Sequence, residues 1–251
     1  MTFGSLNRKL FQKHDDGGSD MEDAGPHQHE KVLAVFDKME THDKPYERQI
    51  GKFNIAILPG VFSPNYFTDS LVFAEALPEI VGQKRMLEIG PGTGIISLYC
   101  AEAGAKVVAS DINPVATENT RLNAEKLKLD IDSRNGDMYA AIRPDEKFDI
   151  IFWNHPFNRT DDVVHNMLHR AGFDQNYNGL RAYVRDARKY LTEDGQLLLG
   201  TGSIADMVEI EKIAEENGYT LTLLKEAVSP FEVGSSITYR NLIYRLDPKT
   251  E

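Results

Sequence analysis

The segment LEIGPGTG at residues 87–94 places three glycines between two apolar runs. Gly90, Gly92 and Gly94 permit a tight turn and let backbone N–H groups approach a ligand, and the N-terminus of a following helix attracts an anionic group. The next apolar run, KVVASD, ends in Asp111, seventeen residues after Gly94. This order predicts a strand, a ligand-binding turn, a helix and a second strand of a parallel sheet.

The same alternation continues towards the end of the chain and predicts a doubly wound α/β sheet. The predicted strands are RMLEIG, KVVASD, FDIIFWN and GQLLLGTG, and the predicted helices contain GIISLYCAEAG, PVATENTRLNAEKL, LRAYVRDARKYL and EIEKIAEENG. Two further β segments, TLTLLKEAV and SSITYRNLIYRL, close the chain. We assign residues 81–251 to this ligand-binding domain.

The sequence pattern of residues 30–80 predicts an N-terminal helix and a hairpin that form a short cap on that domain. Apolar residues recur at helical spacing between residues 30 and 40, and apolar and polar residues then alternate along a predicted hairpin that turns at Gly51. The polar side chains of TDS at 68–70 predict the N-terminal cap of a helix through LVFAEAL.

Residues 14–29 are polar, acidic and contain glycine, with almost nothing to bury, so we predict that residues 1–29 form a disordered tail. His14, His27 and His29 lie near several carboxylates and could form a metal site. Nothing in this segment fixes a coordination geometry, so we predict a solvated tail and no bound metal.

The charge balance and the apolar runs narrow the class of protein. The formal net charge of −11 counts against a nucleic-acid partner, which is held by basic surface, although a local basic patch can exist within an acidic total. The longest apolar runs are far shorter than the ~20 residues that span a bilayer. A single cysteine, Cys100, suits a reducing compartment. We therefore expect a soluble, cytoplasmic protein without a membrane partner.

The glycine loop departs from the pattern of NAD-binding proteins. Ile95 stands where a dinucleotide loop has its third glycine, and the acid Glu88 precedes the first glycine by two residues. Asp111, at the end of the second strand, can accept hydrogen bonds from both hydroxyls of a ribose. The alternative is that Asp111 caps the helix that begins near Pro114.

A third acid at a strand end, Asp137, lies with Met138 where an adenine amine could be met, although the preceding Asn-Gly pair also suits a plain turn. In this order, LEIGPGTG, SDINP, GDM and NHPF resemble the Rossmann-like methyltransferases that depend on S-adenosylmethionine (SAM), specifically the methyltransferase small domain group. That group includes release-factor glutamine methyltransferases and RNA methylases of exocyclic amines. The resemblance covers about residues 46–245.

The resemblance implies a Rossmann-like, mostly parallel sheet of seven strands with an antiparallel last strand, and SAM as the cofactor. It also implies that Glu88 and the glycine loop hold the methionine part, Asp111 the ribose and Asp137 the adenine side. The candidate cofactor-binding residues are Glu88, Gly90, Gly92, Gly94, Asp111, Ile112, Asp137, Met138 and Asn154.

The candidate catalytic residues are Asn154, His155, Pro156 and Phe157, where related families carry Asn-Pro-Pro-Tyr or Asn-Pro-Pro-Phe. The Asn154 side-chain oxygen and the His155 backbone carbonyl can each accept an N–H bond from a planar nitrogen, and Phe157 can stack on the planar group. His155 departs from the family's first proline, while Pro156 still favours an extended backbone before it. The imidazole either points away from the chemistry or takes the released proton.

Residues 158–181 are rich in polar side chains and form the segment that we expect to meet the substrate. Tyr177, Asn178 and Arg181 are candidates for that contact. A polar surface loop has the same composition.

We predict a SAM-dependent N-methyltransferase that acts on a planar amide or amine nitrogen of a small metabolite or a protein side chain. The N-terminal appendage is short compared with the helical domain by which release-factor methylases grasp their protein. The alternatives are an RNA base methyltransferase and a non-catalytic SAM-binding module, and the presence of Asn154 argues against the latter.

Overall fold

The computed structural model of the protein describes residues 26–249. The helices are α1 Pro26–Glu40, α2 Asp69–Val81, α3 Ile95–Glu102, α4 Pro114–Leu127, α5 Asn178–Asp186 and α6 Met207–Glu216, with short 3-10 turns at His169–Ala171 and Ala187–Lys189. The strands are β1 Tyr46–Ile50, β2 Phe53–Ile57, β3 Arg85–Ile89, β4 Lys106–Asp111, β5 Ile131–Asn135, β6 Phe148–Asn154, β7 Asn158–Thr160, β8 Phe173–Gln175, β9 Leu191–Gly202, β10 Tyr219–Pro230 and β11 Thr238–Pro248.

Seven strands form one sheet in the order β10, β11, β9, β6, β3, β4, β5. Strands β9, β6, β3, β4 and β5 are parallel neighbours, whereas β11 runs antiparallel to both β9 and β10. The predicted mostly parallel sheet with an antiparallel last strand is therefore confirmed. Strand β5 is absent from the strands predicted by pattern because its sequence, IDSRN, is mostly polar and only half-buried.

Helices cover both faces of this sheet. On one face α2, α3 and the β1–β2 hairpin share an apolar core with side chains such as Met86 and Phe152. On the other face α5 and α6 pack against Leu87, Ile151 and Trp153. The central strands alternate between the two cores, which leaves their carboxyl ends as the place where polar side chains can gather.

The predicted hairpin of the cap is present, and helix α4 binds it. The hairpin turns at Gly51 as expected, and asparagines of α4 hold its second strand: the Asn119 Oδ1 accepts from the Leu58 N–H at 2.8 Å, and the Asn123 Oδ1 accepts from the Ala56 N–H at 2.8 Å. Whether the chain divides at residue 81 stays a prediction.

Helix α1 begins at Pro26, so the last residues that we assigned to a disordered tail are helical. Gln28 is buried, and its Nε2 donates to the Asn158 Oδ1 at 2.9 Å. Pro26 is compatible with this start, because proline suits the first turn of a helix. The sequence did not reveal the extra turn, because Gln28 is held by a hydrogen bond to a distant residue and not by an apolar pattern. The rest of the predicted tail lies outside the described residues.

The TDS segment lies at the start of α2, but no side-chain capping bond forms there. The Thr68 hydroxyl instead contacts the Ser229 hydroxyl at 2.8 Å, and Asp69 is buried. The predicted capping role is therefore wrong, because tertiary partners take these side chains.

Within residues 26–249, no helix has the length and apolar character needed to cross a membrane. The same part of the chain contains no group of three or more His, Cys, Asp or Glu side chains placed to hold a metal ion.

We expect Phe36→Ala to weaken the docking of α1 by about 3–5 kcal/mol, because the ring is fully buried and its removal leaves a cavity. Faster amide hydrogen exchange throughout α1 would report the loss. Leu33→Ala, on the same helix but 38% exposed, is the matched control. Equal exchange rates in the two variants would contradict the assigned packing of α1.

Candidate functional site

A cavity lies at the carboxyl ends of β3, β4 and β6 and beyond the end of β5, with a volume of about 1260 Å³ including its open mouth. The predicted cofactor and catalytic residues that line it are Glu88, Gly90, Gly92, Asp111, Ile112, Asp137, Met138, Asn154, His155, Pro156 and Phe157. The position agrees with the general rule that open α/β sheets bind ligands outside the carboxyl ends of their strands. The structure thus brings together all the predicted cofactor-binding and catalytic residues except Gly94.

The glycine loop contacts α4 and the end of β4. Gly92 has a φ of 58°, and its N–H donates to the Asp111 Oδ2 at 3.1 Å. Gly94, with a φ of 82°, does not line the cavity, since it lies against Thr120, where an added Cβ would come within 2.9 Å of that side chain. Gly94 therefore allows close packing of the loop on α4, and its predicted contact with the cofactor stays a prediction.

Glu88 is almost completely buried near the end of β3, and the Ser97 hydroxyl of α3 donates to its Oε2. Burial raises the pKa of Glu88 to about 8, although the Ser97 bond lowers it, and the nearby Asp111 adds to the rise. The free protein therefore holds a mostly protonated carboxyl at neutral pH in the wall of the cavity. A cation placed beside it would favour the ionised form.

Asp111 is 8% exposed at the end of β4. Its Oδ1 accepts from the Asn113 N–H at 2.8 Å, and Asn113 supplies the side-chain cap of α4. Burial raises the pKa of Asp111 to about 6. The alternative of Asp111 as the helix cap is not what the structure shows, and its carboxylate borders the cavity beside the glycine loop.

Asp137 and Met138 follow β5 on the far side of the cavity from the β6 end, together with Ile112 after β4. Asp137 is exposed, and Met138 adopts a φ of 48°, which is uncommon for a residue with a side chain. The Ser110 hydroxyl donates to the Met138 carbonyl at 3.4 Å and helps to hold this turn.

Asn154 ends β6, and its amide is fixed by one strong contact. The Asn154 Nδ2 donates to the Asp69 Oδ2 at 2.6 Å. The Asn154 Oδ1 is buried and has no hydrogen-bond partner within the described residues, and the same holds for the Asp69 Oδ1. An unpaired buried acceptor beside a cavity is an unfavourable state that a donor on a bound molecule would relieve.

The His155 ring is buried behind the turn. Its Nε2 lies 2.9 Å from the Thr201 hydroxyl oxygen, and its rim contacts the rings of Phe157 and Tyr177. Burial lowers the pKa of His155 to about 3. The ring is therefore neutral at physiological pH and a weak proton acceptor.

A row of aromatic rings continues from this turn to α1. Phe157 lies 6.3 Å from Tyr239, Tyr239 lies 6.1 Å from Phe231, Phe231 lies 5.4 Å from Phe67, and Phe67 lies 6.1 Å from Phe36 (ring centroids). All five rings line the cavity. This end of the cavity, which we call the aromatic wall, suits a flat or apolar group.

The segment 158–181 contributes to the cavity, but through other residues than those predicted. Tyr177 is buried and its hydroxyl donates to the Phe157 carbonyl at 2.6 Å, and Arg181 pairs with Glu209 and Glu216. Neither they nor Asn178 line the cavity, so the cavity gives no support to their predicted contact with a substrate. The lining residues of this segment are Asn158, Met167, Leu168, Arg170, Ala171 and Gly172.

Sequence reasoning missed Asp69 and the two residues of α1 that line the cavity, Val32 and Phe36. The only signal for Asp69 was its place in the TDS segment, which suits a helix cap equally well. For α1, helical periodicity showed an apolar face but not what that face covers.

The comparisons with known proteins agree with this arrangement. The family model described as methyltransferase small domain matches residues 52–222. A protein of Methanocaldococcus jannaschii named "Putative protein N5-glutamine methyltransferase" is 30% identical over 73% of this chain and 93% of its own length. The release factor glutamine methyltransferase of Agrobacterium fabrum is 29% identical over 75% of this chain and 72% of its own length.

Two further relatives are larger than the matched region. The ribosomal RNA small subunit methyltransferase C of Vibrio parahaemolyticus is 27% identical over 71% of this chain and 49% of its own length. The solved structure of a T. thermophilus 16S rRNA N2 G1207 methyltransferase in complex with AdoMet and guanosine has a TM-score of 0.59, with 23% identity, covering 82% of this chain and 50% of that one. This chain thus spans about half the length of each, and the structural likeness concerns the fold.

The residues present fit SAM, which carries an ammonium, a sulfonium and two ribose hydroxyls. Glu88 and Asp111 are buried carboxyls with raised pKa values and no salt bridge within residues 26–249. Gly92 leaves open space where a Cβ would stand, with the nearest atom 3.9 Å away. Two carboxyl groups that can accept hydrogen bonds, beside a glycine loop, match a cationic ligand whose hydroxyls donate.

We expect the affinity for SAM to rise between pH 6 and pH 8, by up to about tenfold per pH unit, because a bound cation lowers the raised pKa of Glu88 and so releases a proton on binding. Glu88→Gln should remove the part of this dependence that Glu88 contributes and leave the parts that Asp111 and SAM contribute. Calorimetry of both proteins over this range lets the titration of SAM itself cancel, and Glu118→Gln on the exposed face of α4 is the control. The same pH dependence in wild type and Glu88→Gln would exclude the contact.

Proposed function

Because the chain belongs to the methyltransferase small domain family of SAM-dependent methyltransferases, we propose that it transfers a methyl group to a planar amide or amine nitrogen of a small metabolite or a protein side chain. The family membership supplies the cofactor and the reaction class. The choice of nitrogen and the roles of individual residues rest on the site.

One observation carries the proposal: the buried, unpaired Oδ1 of Asn154 at the end of β6, in a cavity that also contains Glu88 and Asp111. Such an oxygen needs an N–H or O–H donor, and a nitrogen that still bears hydrogen supplies one. The backbone carbonyl of His155 follows directly in the chain and is our second proposed acceptor. Two acceptors on one nitrogen orient it as well as bind it.

The proposed chemistry depends mainly on orientation. A planar amide or aryl amine is a weak nucleophile because its lone pair is delocalised. SAM supplies an electrophilic methyl group on a sulfonium. The Asn154 oxygen and the His155 carbonyl accept the N–H bonds and so direct the lone pair, while the Phe157 ring confines the planar group from one side.

Proton removal does not require a strong base in this scheme, because the nitrogen becomes more acidic as it gains the methyl group. The imidazole of His155 is poorly suited to the task, since burial lowers its pKa to about 3. We therefore propose that the proton leaves to solvent and that His155 contributes its carbonyl.

The substrate class follows from charge and from the relatives. Relatives named above are described as acting on glutamine and on ribosomal RNA. A formal net charge of −11 disfavours RNA, because binding a phosphate backbone depends on basic surface. A side-chain amide or a small planar amine remains the proposal.

The proposal is tested by incubating the full chain with methyl-labelled SAM and three separated acceptor pools: a glutamine-containing peptide mixture, total RNA and a small-molecule extract. Label on nitrogen in the peptide or small-molecule pool supports the proposal. Label confined to RNA replaces it with base methylation, and no label in any pool favours a non-catalytic module.

We expect Asn154→Ala to lower the rate of methyl transfer about a hundred- to a thousand-fold, as does removal of one preorganised polar group from an active site. The affinity for SAM should stay within a few-fold. Asn154→Asp, which still accepts hydrogen bonds, should keep partial activity. Asn178→Ala, an exposed asparagine outside the cavity, is the control, and equal activity in both alanine variants would remove Asn154 from the chemistry.

His155→Leu tests whether the imidazole takes part. It keeps the backbone N–H, which donates to the Gly200 carbonyl at 3.3 Å and which proline would remove. We expect turnover within about tenfold of wild type, with an unchanged pH profile. A loss of more than a hundred-fold in a folded, SAM-binding variant is the size of a general-base effect and would show that the ring handles the proton.

A further inference from the structure

We propose that Asp69 is a positioning residue: its carboxylate holds the amide of Asn154 in the one orientation that leaves Oδ1 free for the N–H of the methyl acceptor. The proposal rests on the proposed function, since it assigns Asp69 a part in the same transfer. Asp69 acts through Asn154, and no contact between Asp69 and the acceptor is required.

The contact joins two distant parts of the chain. Asp69 is the first residue of α2 and Asn154 is the last residue of β6, and the two lie 85 positions apart in the sequence. Both side chains line the cavity, and the Nδ2–Oδ2 distance of 2.6 Å is that of a close hydrogen bond, donated by the amide to the carboxyl group.

The carboxylate decides which way the amide faces. A side-chain amide has nearly identical shapes in its two orientations, which differ in whether oxygen or nitrogen faces a given neighbour. An ionised carboxylate only accepts hydrogen bonds, so it selects the orientation in which Nδ2 points at Asp69. In the reverse orientation the Asn154 oxygen would face the carboxylate, and its NH₂ group would meet the N–H of the acceptor as donor against donor.

The surroundings keep Asp69 in place and partly compensate its charge. The Thr68 hydroxyl contacts the Ser229 hydroxyl of β10 at 2.8 Å, which anchors the start of α2. Burial raises the pKa of Asp69, while the Asn154 amide and the backbone N–H of Ser70 at the N-terminus of α2 favour the ionised form. The nearby titratable group is Tyr239 of β11, whose pKa is raised by burial and by its electrostatic interaction with Asp69.

The alternative is that Asp69 serves stability alone. The hydrogen bonds speak against this, because the one side chain that hydrogen-bonds to the Asp69 carboxyl within the described residues is that of Asn154. A buried carboxyl with so few partners is an expensive way to stabilise a fold.

The test uses Asp69→Leu, which removes the acceptor, and Asp69→Asn, whose amide oxygen can still accept from Nδ2. Glu79→Gln, on the same helix but exposed, is the control. The assay uses the acceptor pool that the wild-type protein methylates. We expect Asp69→Leu to lower kcat about a hundred-fold with little change in SAM affinity, because the Asn154 amide loses its fixed orientation. Asp69→Asn should recover at least a tenth of the wild-type kcat.

A second readout needs no turnover. In protein labelled with ¹⁵N-asparagine, the side-chain NH₂ signals of Asn154 are identified by their loss in Asn154→Ala. We expect them to be ordered in wild type and to move with the titration of Asp69. In Asp69→Leu both features should vanish, and Asp69→Asn should keep the order.

Each combination of results decides the proposal. Unchanged Asn154 signals in Asp69→Leu overturn it, whatever the activity, and so does a change in the signals with unchanged kcat. If Asp69→Leu does not fold, the pH titration of the wild-type Asn154 signals and the activity of Asp69→Asn decide. Asn154 signals that do not shift as Asp69 titrates overturn the proposal. Should wild type hold the amide yet methylate no acceptor, the proposed function fails while the Asp69 contact stands, and a role in transfer is then excluded.

Discussion

Strands β4 and β5 lie on one side of β3, and β6 and β9 lie on the other. Where the strand order reverses in this way, the connecting segments leave in opposite directions and a crevice opens at the carboxyl ends. Glu88, Asp111 and Asn154 stand at or next to the ends of three of these strands and therefore border one cavity. The glycine loop depends on the same arrangement, since the Gly92 N–H reaches Asp111 because β3 and β4 are parallel neighbours.

Several buried carboxyl groups border this crevice. Because burial raises their pKa values, the stability of the fold and the affinity for a ligand both depend on their protonation. The folded-state pKa values of Glu88, Asp111 and Asp69 are all raised by burial. Groups of this kind favour the fold when protonated, so their contribution is full at low pH and is lost as pH rises through about 6 for Asp111 and about 8 for Glu88. A ligand that brings positive charge and hydrogen-bond donors lowers these pKa values and stabilises the folded chain where the free protein is least favourable.

The part of the site that the sequence predicted is the part in which local pattern and topology coincide. A strand, a glycine turn and a helix are adjacent in the chain, and parallel strands align their ends, so Glu88 and Asp111 could be placed from order alone. Asp69 could not, because its partner Asn154 lies 85 residues away and the local TDS segment suits an ordinary helix cap. Arg181 illustrates the converse: its polar character suggested a ligand contact, whereas in the structure its guanidinium forms ion pairs with Glu209 and Glu216.

The two ends of the cavity therefore differ in how far membership of a family describes them. The match to the methyltransferase small domain covers residues 52–222, which includes the glycine loop, the strand-end acids and the NHPF turn. Phe36 precedes that range, and Phe231 and Tyr239 follow it, yet these rings form most of the aromatic wall. Family membership thus describes the glycine loop, the strand-end acids and the NHPF turn, whereas most of the aromatic wall comes from segments outside the family match. Under our proposal that the acceptor nitrogen binds at Asn154 and Phe157, the rings that α1 and the β10–β11 segment add beside Phe157 would shape the pocket for the acceptor, and relatives that share only the matched region would not show that shape.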